Sequence, residues 1–396
     1  MSKAWEDKDD QEIKIDLSLS ARTKKLGKET VSGAEFTDRL REKYKSIYNA
    51  QWGEENKEKT QLGKLFLTSK SILSDKTPAL MSGLLDVEEL KHANLGNYSK
   101  SVISDSEFQG NRLLIAGKDK RIRLFEVPAE DEENLKASVH FKDLPVVSSK
   151  FCGEKIYVSG EKPFFYVYDQ VKEDVQRVPF VQGYNKQPLG QMKISPDQKF
   201  AFFLGKNGKL MQVSTQSQKL ICDFKMNSDS NGLCFIDEYT VACGGDEGDI
   251  YFWDLKMRSC IQRFSDEGTV KITCLESKDN FLAVGSNSGV VNLYDMNKPD
   301  FRESEPKPIK SVMNLTTDVT GVSFNYNCEV LAMYSKWKRD AVKLLHVPSL
   351  TVFSNWPSFK DRIKYPMTCC FNSTSELFSI GNDEGISLLY KLNHYC

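Results

Sequence analysis

Histidine is scarce in this chain of 396 residues: there are four, His92, His140, His346 and His394, none close to another. That scarcity excludes an HExxH metal helix and any local histidine-based triad. A GxSxG elbow, a P-loop and a GxGxxG turn after a strand are also missing, so the common nucleophile and phosphate-cradling devices are absent. The ten cysteines form no CxxC pair, which removes the usual spacing of zinc ligands. Most sit inside apolar phrases, such as Cys234, Cys243, Cys274, Cys328 and Cys369, and read as reduced core residues of a cytosolic or nuclear protein. No apolar run is long enough for a signal peptide or a membrane span. A net charge of −1 leaves no global attraction to nucleic acid or membrane, although local patches can still provide one. Neither catalysis nor a cofactor nor a metal is expected.

What the sequence does have is a recurring phrase. It is an apolar strand, a turn of glycine and small polar residues, then a second apolar strand ending in an aromatic, often followed by Asp. The clearest copies are Val241–Asp254 (VACGGDEGDIYFWD), Leu282–Asp295 (LAVGSNSGVVNLYD) and Leu377–Tyr390 (LFSIGNDEGISLLY). The first two start about 41 positions apart, the period of WD40-type propeller blades. Weaker copies span Ser101–Val127, Val146–Asp169, Leu189–Val213 and Val319–Val347, and the last quoted phrase belongs to Met367–Leu392. The fold class is therefore all-β, a seven-bladed WD40-type β-propeller over residues 84–396, preceded by a mostly extended arm over 1–83. Strand-like residues 84–90 have no blade of their own. They are expected to supply the outer strand of the seventh blade and so remove its exposed edge.

The repeats are degenerate. Only one ends in Trp253-Asp254, and no Gly-His dipeptide opens a blade. The buried His–Asp network of an ideal WD40 repeat cannot form, so apolar blade-to-blade packing must carry stability. Gly248, Gly289 and Gly385 in the turns are expected to take positive φ.

The arm is polar and divides into three parts. An acidic run around one aromatic (Trp5, Asp7, Asp9, Asp10) is followed by a basic segment from Asp16 to Leu26. Residues 34–48 then read as a short amphipathic helix, with Phe36, Leu40, Tyr44, Ile47 and Tyr48 on one stripe. A lone helix of this length is marginal in water, so the stripe needs a surface: the chain's own propeller or another protein. The polar spacer from Gly53 to Lys64 favours docking on a partner. Trp5, Asp7, Asp9, Asp10, Phe36, Leu40, Tyr44 and Ile47 are the candidate docking residues.

Three basic stretches are candidates for RNA contact: Lys118, Lys120, Arg121 and Arg123; Lys336, Lys338 and Arg339 around Trp337; and Lys360, Arg362 and Lys364 between Trp356 and Tyr365. Cations there can neutralise phosphates and aromatics can stack on unpaired bases. The competing reading is of solvated loops whose aromatics pack into blade seams.

Several phrases together resemble the U3 small nucleolar RNA-associated protein 18 family. They are AWEDKDD (Ala4–Asp10), the segments at Lys24–Leu26 and Arg39–Arg41, Val284–Asp295, LLHVPSLTVFSNWP (Leu344–Pro357) and the ending LLYKLNHY (Leu388–Tyr395). They occur in family order and cover nearly the whole chain. The resemblance implies a non-catalytic scaffold of the small-subunit processome in the nucleolus. It implies partnership with other propeller proteins, including the periodic tryptophan protein, with the U3 ribonucleoprotein and with pre-ribosomal RNA, and a role in maturation of the 18S RNA. Some relatives carry an upstream Leu-Phe-x-aliphatic-Asp motif that recruits the exosome-associated RNA helicase. The nearest string here, Leu65–Ser69, lacks the Asp, so recruitment by that route is not expected.

A reading from a different class is a propeller that reads substrates for a ubiquitin ligase. It requires a ring of cations at the blade-end turns for a phosphorylated or acidic peptide. Asp246-Glu247 and Asp383-Glu384 in those turns weigh against it.

Overall fold

The computed structural model describes residues 13–16, 30–48, 80–128, 134–179, 188–302, 306–358 and 361–395. They fall into two compact units, within Met1–Lys76 and Thr77–Cys396. In the first, Lys14–Asp16 pairs antiparallel with Thr30–Ser32, a ladder that the sequence reading missed. A helix, Gly33–Tyr48, follows directly. The Ser32 hydroxyl accepts the Glu35 N–H at 3.4 Å, half of the Ser-x-x-Glu capping box that starts a helix here.

The second unit is a seven-bladed β-propeller, each blade a four-stranded antiparallel sheet. The strands of blade 1 are Ile103–Gln109, Arg112–Gly117, Arg121–Glu126 and Leu135–His140. Blade 2 has Val146–Cys152, Lys155–Gly160, Phe164–Asp169 and Asp174–Pro179. Blade 3 has Met192–Ile194, Phe200–Leu204, Lys209–Ser214 and Leu220–Lys225. Blade 4 has Ser230–Phe235, Thr240–Gly245, Asp249–Asp254 and Ser259–Ser265. Blade 5 has Ile272–Lys278, Phe281–Ser286, Val291–Asp295 and Lys310–Val312. Blade 6 has Gly321–Phe324, Val330–Tyr334, Val342–His346 and Thr351–Val352. Blade 7 takes Pro366–Phe371, Leu377–Asn382 and Ser387–Leu392 from the end of the chain. Its fourth strand is Val87–Glu89, paired Val87 to Leu392 and Glu89 to Tyr390. The ring closes with the strand expected to close it, although only three residues of 84–90 join the ladder.

The residue pattern follows from this geometry. Second and third strands are covered on both faces by neighbouring blades, so they read as apolar runs such as Phe200–Leu204 (FAFFL), almost wholly buried. Fourth strands face solvent on one side, and Leu135–His140 alternates half-buried with exposed. Buried apolar residues form seven clusters, one per seam between adjacent blades. Leu80 and Leu85, ahead of the closing strand, belong to the seam of blades 6 and 7.

The aspartate that often ends a phrase has a local task. Asp169 accepts N–H groups from Val171 and Lys172 at 3.0 and 3.1 Å. Asp254 accepts those of Lys256 and Met257 at 2.7 and 3.2 Å. Each shapes the turn to the fourth strand by the usual Asx mechanism. Gly248, Gly289 and Gly385 have φ of +78°, +84° and +80°, the left-handed region expected of them. In place of a His–Asp network, the seam of blades 4 and 5 buries Asp266, whose carboxylate accepts the Tyr294 hydroxyl at 2.6 Å, the Asn292 amide at 3.1 Å and the Thr269 hydroxyl.

Candidate nucleic-acid and partner interfaces

Antiparallel order puts every turn between second and third strands at one end of the propeller, together with every link to the next blade. The candidate basic stretches lie there. Lys118, Asp119 and Lys120 make the turn of blade 1, with Lys120 at φ 63°. Lys118 and Arg121 are exposed, while the Lys120 ammonium donates to the Lys142 carbonyl at 3.2 Å.

Arg123 corrects the sequence expectation. It is 6% exposed and donates to Asp119 at 2.6 Å and to the Ser99 hydroxyl at 3.2 Å. It lies in Arg121–Glu126, a third strand whose four middle residues are all buried, and a buried guanidinium must be paired. Through Asp119, Arg123 holds the turn from beneath.

The second and third stretches form one rim. The Asp340 N–H donates to the Lys364 carbonyl at 2.7 Å, and the Lys364 N–H donates to the Asp340 carboxylate at 2.9 Å. The Arg339 guanidinium lies 5.5 Å from the Tyr365 ring centroid. Lys336 lies 5.2 Å from the ring of Trp337, which is 62% exposed at the tip of the turn. Lys336, Lys338, Arg339 and Arg362 are exposed, and among the described residues none of the four forms an ion pair. Lys364 is paired with Glu384, so its charge is already balanced. Lys360 lies outside the described residues. Trp356 is a seam residue, edge-on to Phe378 and Tyr390 at 5.9 and 5.4 Å, and offers no stacking face to a base.

On the arm helix, Phe36 is half-buried, while Leu40 and Tyr44 are 42% and 52% exposed. The side chain of Ile47 lies outside the described residues, as do Trp5, Asp7, Asp9, Asp10 and the string Leu65–Ser69.

A further charged group escaped the sequence reading because its members lie on different blades. The first strands pack around the centre and bring together Asp105 and Glu107 of blade 1 with Lys150 of blade 2. Lys150 pairs with Asp105 at 3.1 Å, and Lys193 of blade 3 pairs with Glu276 of blade 5. Glu107 accepts the Phe151 N–H at 2.6 Å. Burial pushes the Glu107 carboxyl above its ordinary range, against the opposing pull of Lys150 and that N–H. Burial pulls Lys150 down, but Asp105 and Glu107 outweigh it and hold the ammonium above its usual value. The Ser148 hydroxyl donates to the Asp105 carboxylate at 3.0 Å, so the group is a set of interlocked pairs. Among the described residues no group of three His, Cys, Asp or Glu is placed to hold a metal. Burial drives the Cys234, Cys274 and Cys370 thiols up to about 12, which makes them unreactive core residues.

Two of the family-like phrases, Leu344–Pro357 and Leu388–Tyr395, tie the closing strand and the chain end into the ring. The Asn355 side chain donates to the Leu85 carbonyl at 2.6 Å and accepts the Leu85 N–H at 3.1 Å. Asn393 donates to the Asp86 carboxylate at 3.1 Å. Tyr395 donates to Glu329 at 2.7 Å and accepts from Asn325 at 3.0 Å. Comparison with known proteins finds relatives along nearly the whole chain. U3 small nucleolar RNA-associated protein 18 homolog of Arabidopsis thaliana is 33% identical over 419 residues, spanning 99% of this chain and 76% of the relative. The chain belongs to the U3 small nucleolar RNA-associated protein 18 family. The human homolog is 30% identical, with 99% and 74% covered, and the Saccharomyces cerevisiae protein 26%, with 99% and 79% covered. No protein-family model matches the chain. The relatives' names attach them to U3 small nucleolar RNA, and family membership extends over arm and propeller alike.

Proposed function

We propose that this protein is a non-catalytic scaffold of the small-subunit processome, acting in the nucleolus with the U3 ribonucleoprotein to support maturation of the 18S ribosomal RNA. The observation that carries this reading is similarity over 99% of the chain to proteins named for U3 association. The architecture is consistent with it: rigid sheets and interlocked central charges suit a docking body. Other propeller proteins, the periodic tryptophan protein among them, are the proposed protein partners. The arm is their proposed attachment, with the stripe of Phe36, Leu40, Tyr44 and Ile47 folding onto a partner and the acidic run at Trp5 to Asp10 extending the contact. The rim of Lys336, Lys338, Arg339 and Arg362 beside Trp337 is the proposed path of pre-ribosomal RNA. Affinity capture of the tagged protein, with sequencing of bound RNA and imaging in the same cells, tests the proposal. Recovery of U3 RNA and nucleolar signal are expected; a diffuse signal with a ubiquitin-ligase partner and no U3 RNA would overturn it.

A further inference from the structure

Fourth strands of three blades carry a β-bulge, one extra residue set against the third strand. The extra residue is Lys136 in blade 1, Ile221 in blade 3 and Ile261 in blade 4. A bulge leaves that residue out of the ladder and re-aims its side chain. Lys136 pairs with Glu126 at 2.7 Å on the surface. Ile221 and Ile261 are 38% and 61% exposed. The same bulge thus accepts a charged residue in blade 1, so isoleucine in two adjacent blades is no packing requirement of the fold.

Two further features mark this edge. Met257, in the turn leading to the bulged strand of blade 4, is 75% exposed. Its neighbour Arg258 reaches towards blade 3, where its charge pulls on the Cys222 thiol against the larger, opposite effect of burial. Ile221, Met257 and Ile261 therefore border one region of the surface. The charge there is one-sided: residues 215–225 and 255–265 carry Lys219, Lys225, Lys256, Arg258 and Arg263 against a single acid, Asp223. Arg263 is balanced by Asp249. Lys219, Lys256 and Arg258 are exposed and form no ion pair among the described residues.

We infer that this outer edge of blades 3 and 4 docks an acidic amphipathic helix of a partner protein. Bulges break the regular row of backbone groups that an added strand would need, so side chains must make the contact. A helix presents an aliphatic stripe at i, i+4 and i+7 to Ile221, Met257 and Ile261, and carboxylates beside that stripe meet Lys219, Lys256 and Arg258. RNA suits the patch less well. Its anchors are aliphatic, and the aromatic beside it, Tyr239, has the Lys256 ammonium 3.5 Å from its ring centroid. Turns between third and fourth strands lie at the end of the propeller opposite the basic rim, so the site stands or falls apart from that rim and from the arm.

The test uses the full chain and a fluorescein-labelled helical peptide with leucines along one face and glutamates on either side, followed by anisotropy. Saturable binding is expected. Ile221→Lys combined with Ile261→Lys installs the residue that blade 1 carries at the same place, and should weaken binding at least about tenfold with the melting temperature unchanged. Met257→Glu, in an exposed turn, should also weaken it and keeps the test decisive if the double variant does not fold. Changing the peptide's glutamates to glutamine should weaken binding at least about tenfold at low salt, and scrambling the leucine face should abolish it. Alanine at Lys336, Arg339 and Arg362 should change nothing. Absence of saturable binding, equal binding of the scrambled or glutamine peptide, affinity unchanged in Met257→Glu, loss of binding in the rim variant, or displacement of the peptide by single-stranded RNA would each overturn the inference.

Discussion

Asn355 and Leu85 stand 270 positions apart in sequence and exchange two hydrogen bonds, at 2.6 and 3.1 Å. One amide thereby satisfies both backbone groups of a residue just ahead of the strand that shuts the ring. Asn355→Ala leaves a part-buried N–H and carbonyl without that partner, at a cost of about 1–3 kcal/mol. Urea denaturation should show a lower midpoint, together with faster amide exchange over Val87–Glu89 than elsewhere in blade 7. A uniform change in exchange, with no excess at the closing strand, would contradict the latch.

Gly289 and Gly110 separate two costs. Both have positive φ, +84° and +59°. A Cβ on Gly289 would lie 2.6 Å from the Leu315 carbonyl oxygen and 2.9 Å from that of Thr317, whereas one on Gly110 meets nothing within 4 Å. Gly110→Ala should cost only the conformational penalty, about 1 kcal/mol. Gly289→Val adds a clash with backbone that cannot swing aside and should lower the melting temperature clearly further. Equal melting temperatures would refute the close approach at Gly289.

The propeller was legible in the sequence because its defining features are local. Second and third strands with the turn between them form one continuous phrase, as in Val241–Asp254, and the turn glycines announce themselves. Residues 84–90 could be assigned to blade 7 by topology alone, since a closed ring leaves no strand without a blade. Arg123 was misplaced because a basic run in sequence does not show where an exposed turn ends and a strand buried on both faces begins. The central pairs Asp105–Lys150 and Lys193–Glu276 were invisible because each unites strands of different blades, with no spacing to betray them. The Asn355 phrase was recognisable as specific, but its reason lies in three dimensions.

Glu107 makes stability respond to pH. Its carboxyl is raised above the ordinary value of 4.5 by burial, so in the window just above that value the native state binds more protons than the unfolded chain. Stability therefore falls as pH rises through the window from 4.5 towards the folded value. Gln at this position still accepts the Phe151 N–H but has nothing to ionise. The stability of Glu107→Gln, measured by denaturant from pH 4 to 8, should fall less over that window than the wild type's. Parallel profiles would show that the carboxyl does not titrate differently on folding.

Deleting residues 1–60 should leave the melting temperature of the propeller unchanged, because its seven seams draw on residues from Leu80 onward. The same deletion should sharply reduce co-purification of other propeller subunits. Leu40→Asp, on an exposed position of the helix, should do so in part. Intact co-purification after the deletion would remove the arm as the proposed attachment.

The basic rim makes a prediction that salt can read. Lys336, Arg339 and Arg362 are exposed at one end of the propeller, and removing them should leave the fold's melting temperature nearly unchanged. Each phosphate neutralised on a single strand contributes about 0.7 to the slope of log affinity against log salt. The triple alanine variant should therefore bind a pre-ribosomal leader RNA with a slope shallower by about 2, and the loss should be similar for unrelated single-stranded sequences. Trp337→Ala should weaken binding without changing the slope, since stacking releases no counterions. A triple variant with the wild-type slope would place the RNA elsewhere on the molecule. A Trp337→Ala variant with full affinity would remove base stacking from the rim while leaving its electrostatic role intact.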